Sequence, residues 1–172
     1  MINRTEQNSS LSAVGSSNGS IADRRSFVTS ETLVVQTHAA PEFLDLTDLV
    51  ADLVRRSGVR LGVVVVFSRH TTAAVRVNES EPLLLQDLAD CLERIAPRGA
   101  KYRHNDFHIR TVNMTDNESQ NGHSHCQHIL LAASETIPIV EGELALGRWQ
   151  RVFLVELDHA RRREVVVQII GS

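Results

Sequence analysis

Val63-Val64-Val65-Val66-Phe67 is apolar at every position, and a β-strand turns alternate side chains to opposite faces, so the run has no side suited to water. A sheet that contains it needs cover on both faces. The character then changes at once to Arg69-His70-Thr71-Thr72, which sets an imidazole and two hydroxyls at the end of a buried strand. Polar, metal-capable groups at the end of a rigid element mark a candidate site.

The two-residue period continues past this point. His70, Thr72, Ala74, Arg76 and Asn78 share one face, read as polar, while Thr71, Ala73, Val75 and Val77 share the other, read as core. In a continuous strand His70 and Asn78 lie roughly 26 Å apart at ~3.3 Å per residue. They serve one site only if the strand bends or neighbouring subunits supply them.

Around this strand the pattern mixes both periods. Phe27 to Gln36 reads as a first strand, and Leu46, Leu49, Val50, Leu53 and Val54 recur at helical spacing, with Asp45 or Thr47 as cap and Gly58 as stop. Strands over 61–67 and 72–77 lead to Ser80-Glu81-Pro82, the start of a second helix with the stripe Leu84, Leu85, Leu88, Cys91, Leu92 and Ile95. From Lys101 to His128 apolar periodicity gives way to His, Asn, Asp and Ser, which predicts a long functional or disordered loop. Strands return over 129–133, 136–140, 143–145, 149–157 and 163–170.

This order predicts an α+β domain over residues 26–172 with a mostly antiparallel sheet and two main helices. Residues 1–25, rich in Ser, Asn and Gly, predict a flexible tail. Two short helices cover one face of such a sheet, so the other packs on a second sheet or another subunit. A homo-oligomer is the expectation.

Composition narrows the partners. The net charge of -3 provides no basic field for nucleic acid or an anionic membrane, which favours a small-molecule partner. Cys91 and Cys126 lack CxxC spacing and read as reduced thiols, and with no visible secretory signal or membrane span the expected location is cytoplasmic.

The histidines carry most of the chemistry. In an extended chain His123-Ser124-His125 would turn both imidazoles the same way, about 7 Å apart, suiting one metal; the alternative is two solvated side chains. His125 and His128, like His104 and His108, have helical spacing in segments without the pattern of a stable helix. Tyr102, His104 and Asp106 alternate, so a carboxylate could orient the imidazole; otherwise they form an ordinary polar loop. His159 beside Arg161, Arg162 and Arg163 reads as a solvated hairpin tip, with phosphate binding as the functional alternative.

Three blocks together resemble the YjbQ family: HTTAAVRVNESEPLLLQDL over 70–88, the YRH of Tyr102 to His104, and SETIPIVEGELALGRWQRVFLVELDHARRREVVVQIIG over 134–171. The resemblance runs in order from about residue 27 to 171. It implies a compact α+β homotrimer with polar sites between subunits and a divalent metal in some members, which are often labelled secondary thiamine-phosphate synthases. The family pattern falls on His70, Thr71, Asn78, Glu79, Asp87, Tyr102, His104, Asn121, His125, Ser134, Gly142, Gly147, Trp149 and Gln150. Arg148 stands where threonine is usual, Ala132 where glycine is common, and the 105–120 loop is longer and different. His108, His123, His128 and His159 are not family positions.

The implied ligand set is His70, His104 and His125, which suits zinc or another transition metal. Magnesium held through substrate phosphates and a carboxylate such as Glu79 is the alternative. Glu79, Asp87, Thr71 and Asn78 are the candidate catalytic groups, and Tyr102, Asn121, Arg148 and Gln150 the candidate contacts to a phosphorylated substrate. The implied reaction joins an aminopyrimidine methyl diphosphate to a thiazole phosphate and releases diphosphate. The alternatives are metal-dependent hydrolysis of a small phosphorylated or acyl substrate, with Glu79 or Asp106 assisting water, and a non-catalytic trimer that binds a metal or small ligand.

Overall fold

The computed structural model describes residues 27–172, and the expected tail over 1–25 lies outside them. Two antiparallel sheets are stacked. β1 (Phe27–Gln36), β8 (Arg162–Gly171), β3 (Leu61–Ser68), β5 (Ser134–Val140) and β6 (Glu143–Leu144) form one in that order, and β2 (Glu42–Asp45), β7 (Gln150–Glu156) and β4 (Ala73–Glu79) form the other. The α+β class is as expected, but with two sheets and three helices. Helix α1 (Thr47–Ser57) contributes Val50, Leu53 and Val54 to the core between the sheets, against Val64 and Val66 of β3, Val152 and Leu154 of β7, and the inward valines of β8.

Helices α2 (Pro82–Ile95) and α3 (Gly122–Leu131) lie over the far face of the smaller sheet, where Ala74, Phe153, Val155 and Leu157 meet Leu92. Both faces of the start of β4 are therefore buried. This corrects the polar-face reading: Thr72 and Ala74 are core-side residues, and polarity begins at Arg76. The expected β3 strand is buried on its Val64 and Val66 side by the second sheet.

Local signals set the helix ends. Gly58 stops α1 in the left-handed region at φ +74°, its N–H bonded to the Arg55 carbonyl. Glu81, rather than Ser80, caps α2, accepting from the Leu83 and Leu84 N–H groups at 3.0 and 2.7 Å just before Pro82. Such a cap contributes about 1 kcal/mol. The expected α2 stripe is mostly half-buried: Leu92 is fully covered, Leu84, Leu85, Leu88 and Cys91 partly, and Ile95 is exposed.

The expected loop from 101 to 128 and strand over 129–133 are both corrected. A 3₁₀ turn forms at Arg103–Asn105, and 122–131 is α3. This helix lacks a strong apolar stripe and is held by tertiary bonds instead. Asn105 Oδ1 accepts from Gly122 N–H at 2.8 Å, Ser124 Oγ donates to Leu157 O at 2.7 Å, and Gln127 Nε2 donates to the last carbonyls of α2.

The outer face of the five-stranded sheet stays open. Register places Val28 and Val34 beside Ile170 and Glu164, then Leu61 and Phe67 beside Val140 and Ser134 on the same side. These five apolar residues, Val28, Val34, Leu61, Phe67 and Val140, are 42–59% exposed. No helix among the described residues is long and apolar enough to cross a membrane. Cys91 and Cys126 are free, as expected.

Candidate functional site

A buried ion pair organises one end of the molecule. Arg163 and Glu156 are 2% and 0% exposed, with Arg163 Nε donating to Glu156 Oε2 at 2.6 Å. The carboxylate also accepts from Thr37 Oγ1 and from the Leu157 and Asp158 N–H groups, while Arg163 donates to Thr72 Oγ1 at 3.0 Å. One pair thereby ties together β1's exit, β7's end, β8's start and the turn after β3. Arg163 is thus no solvated tip, which corrects that expectation.

Asp158, two residues past the end of β7, is the second anchor. Its Oδ2 accepts from Asn121 Nδ2 at 3.2 Å, Ser119 Oγ at 3.4 Å and Arg161 Nη2, and its Oδ1 lies 3.1 Å from His159 Nδ1. Burial pushes the carboxyl up, but the bonds from His159, Arg161 and Asn121 outweigh it and bring its pKa down to about 2. Asp158 is therefore a permanent anion that orders Asn121 and Arg161. The 161–163 run is spent internally at Arg161 and Arg163, which weighs against a phosphate or nucleic-acid clamp there.

Helix α3 then delivers its histidines. A Cβ on Gly122 would sit 2.4 Å from Tyr102 Cβ, so the bare glycine lets α3 dock directly on the residue before the 3₁₀ turn. That contact brings the His104 and His125 rings edge to face with centroids 4.6 Å apart. His104 Nε2 is buried without a hydrogen-bond partner. Burial and the neighbouring His104 hold the His125 pKa below its ordinary value, so this imidazole is neutral at pH 7.

The extended HxH reading is overturned. On a helix His123 and His125 diverge, and His123 is buried at 2% exposure beside Tyr102, at 6.5 Å between ring centroids. Ser124 spends its single proton on Leu157 O, so His123 Nε2, 3.1 Å from Ser124 Oγ, is the donor and its buried Nδ1 is a bare acceptor. His128 turns toward the backbone of His70 and buries an unpartnered Nε2. His70 Nε2 accepts from Glu164 N–H at 2.8 Å, so neutral His70 carries its proton on Nδ1. Asp106 does not orient His104; it accepts from the His108 N–H.

The sequence-predicted residues fall into two groups. His70, exposed Thr71, Tyr102, His104, Asn121 and His125 gather at the end just described. Asn78, Glu79, Arg148 and Gln150 lie at the opposite end of β4, where Asn78 pairs with Arg151 and Glu79 with Gln150. There Asn78 Oδ1 accepts from Glu79 N–H, Gln150 Oε1 accepts from Gly147 N–H, and Arg148 stacks over the exposed Trp149 ring. The unbent strand Ala73–Glu79 separates the groups by roughly 20 Å at ~3.3 Å per residue. Asp87 is exposed on α2, apart from His104 and His125. Among the described residues no group of three or more His, Cys, Asp or Glu is arranged to hold a metal ion. The expected His70, His104 and His125 trio is not assembled within one subunit.

Known proteins share this fold. The family model described as UPF0047 protein YjbQ-like matches residues 31–172. The chain belongs to the YjbQ/UPF0047 family. It is 38% identical to a UPF0047 protein of Methanothermobacter thermautotrophicus over 84% of this chain and 94% of that one. Among solved structures it is similar to a YbjQ-like protein of unknown function from Sulfolobus solfataricus P2, with a TM-score of 0.78 and 32% identity over 86% of this chain and all of the other. An uncharacterised yjbq/upf0047 protein from Clostridium acetobutylicum matches at a TM-score of 0.71 and 33% identity over 81% of this chain and 98% of that one. The family thus fixes the fold and leaves the activity open.

Sequence reasoning missed Glu156 and Asp158 here and gave Arg163 a solvated or phosphate-binding role in place of its buried pairing. The available signal was Glu156-Leu157-Asp158, two carboxylates closing a strand otherwise too apolar to face water. Carboxylates at such a position need partners, and the nearby arginines are the candidates.

Proposed function

We propose that this protein is an enzyme acting on a small phosphorylated molecule at the end of the fold where His104 meets His125. The supporting observation is that pair: two imidazoles in contact, one with a buried nitrogen left without a partner. Leaving a buried polar atom unmatched costs about 1–3 kcal/mol, a cost that a ligand to that nitrogen removes. His125, held neutral by burial and by His104, is suited to accept a proton or to bind a cation.

A divalent metal suits these donors. His104 and His125 would hold it, and when bound it would supply Lewis-acid stabilisation of a phosphate or diphosphate oxygen. Zinc or a similar transition metal matches imidazole donors better than magnesium does. Within this chain, Asp158 holds Asn121 and Arg161 in place, and the His70 Nδ1–H is free to donate to an anionic substrate oxygen.

Asn78, Glu79, Arg148 and Gln150 would join this site from a neighbouring copy, in a trimer packed through the open sheet face. The reaction proposed, on the strength of the family resemblance, is thiamine-phosphate synthesis, with diphosphate as the leaving group. The test is elemental analysis of untagged protein purified without chelator, coupled to product-resolved assay of that reaction. About one metal per subunit and formation of thiamine phosphate, both lost in His104→Ala and His125→Ala, is the expected result. Full turnover in both variants would overturn the proposal.

A further inference from the structure

The segment between the 3₁₀ turn and α3 has a built interior. Arg110 Nη1 donates to Glu118 Oε1 at 2.9 Å, with the two side chains only 12% and 16% exposed. The same guanidinium reaches the Val112 and Asn113 carbonyls, and Glu118 Oε2 accepts from Thr115 N–H at 3.1 Å. This clasp fixes the loop while holding Ile109 and Val112 outward at 63% and 68% exposure.

Those two side chains face a cavity of about 430 Å³ whose other walls are Arg103, His104, Arg110 and Asn113. That volume falls within the ~300–1,000 Å³ usual for small-ligand sites. The charges inside are unequal. Arg110 is neutralised by Glu118, whereas Arg103 makes no ion pair among the described residues. The cavity therefore offers one free cation and one imidazole beside an apolar wall.

We propose that this cavity binds a phosphate monoester with an apolar substituent, the phosphate at Arg103 and His104 and the substituent on Ile109 and Val112. The inference rests on the proposed function for its place beside the His104–His125 pair and deepens it by naming the substrate class. The loop then selects the organic part of the substrate. An inorganic anion would use Arg103 alone and leave Ile109 and Val112 in water, whereas the substituent covers them.

Calorimetric titration of the full-length protein with phenyl phosphate and with inorganic phosphate tests this without requiring turnover. Phenyl phosphate is expected to bind at least tenfold more tightly. Ile109→Asn and Val112→Asn, both at exposed positions, should erase that difference while leaving inorganic phosphate binding unchanged, and Arg103→Gln should weaken both ligands about tenfold. Equal binding of the two probes, no binding of either at millimolar concentration, or unchanged selectivity in the loop variants would overturn the proposal. So would a changed oligomeric state with unchanged binding in Ile109→Asn, which assigns the apolar side chains to contact between copies. Catalytic loss in His125→Ala with phenyl phosphate selectivity intact would separate this cavity from the reaction itself.

Discussion

Glu164 donates its backbone N–H to His70 Nε2 at 2.8 Å, and this bond decides what His70 can do. The lone pair on Nε2 is occupied, and the remaining nitrogen carries the proton. His70 is thereby a hydrogen-bond donor, whereas His104 keeps a buried bare nitrogen. Elemental analysis of single variants should show metal retained in His70→Ala and lost by more than half in His104→Ala and His125→Ala. Equal loss in all three would restore His70 as a ligand.

Asp158 makes stability depend on acid. Its pKa of about 2 lies below the 3.8 of an ordinary aspartate, so the folded state binds its proton less tightly than the unfolded chain does. The stabilisation is fully present above pH ~4 and is lost as pH falls through about 2, amounting to about 2 kcal/mol by linkage. Denaturant titrations across that window should show Asp158→Asn flatter than the parent. Parallel curves would mean that Asp158 is not the group responsible.

The buried pair predicts an asymmetric response. Arg163→Met leaves Glu156 charged, dry and facing the Leu157 and Asp158 amides, and should cost about 3–5 kcal/mol. Replacing both residues, as Arg163→Met with Glu156→Leu, should recover part of that loss because no buried charge remains. A double variant no better than the single one would show that the amide bonds to Glu156 dominate.

Much of this was legible in the sequence because the signals were local. β1 was read at its observed bounds, and α1 was found from helical spacing with Gly58 as its stop. α3 was invisible because Gly-His-Ser-His-Cys has little helical pattern of its own, and bonds from Asn105, Ser124 and Gln127 to distant segments impose the helix. The site suffered for the same reason. Treating 122–128 as extended chain put His123 with His125, whereas helical geometry sends His123 to Tyr102 and His125 to His104. The separation of His70 from Asn78 was readable from strand length alone.

Ala132 closes α3 at φ +77° and ψ 160°, a region essentially reserved for glycine. Ala132→Gly should remove that strain and raise stability by about 1 kcal/mol, despite the added freedom of the unfolded chain. Thermal unfolding is the direct measurement, and a lowered midpoint would mean the alanine methyl contributes more by packing than it costs in the backbone.

The open sheet face bears on whether the site is complete. Val28, Val34, Leu61, Phe67 and Val140 lie on one face by register, and exposed apolar surface on one side of a sheet favours contact with another copy. Light scattering should give the parent a mass near three times 19.1 kDa. Phe67→Glu and Val140→Glu place a charge at the two ends of the β3–β5 pair on this face and should shift the mass toward one chain while circular dichroism stays unchanged, since neither side chain belongs to the core. If Glu79 and Gln150 complete the His104–His125 site from a neighbour, turnover should fall in parallel with the trimer fraction as protein is diluted. A monomeric parent would leave the two ends of β4 without a route to each other, and a monomeric variant with full turnover would confine the chemistry to the histidine end alone.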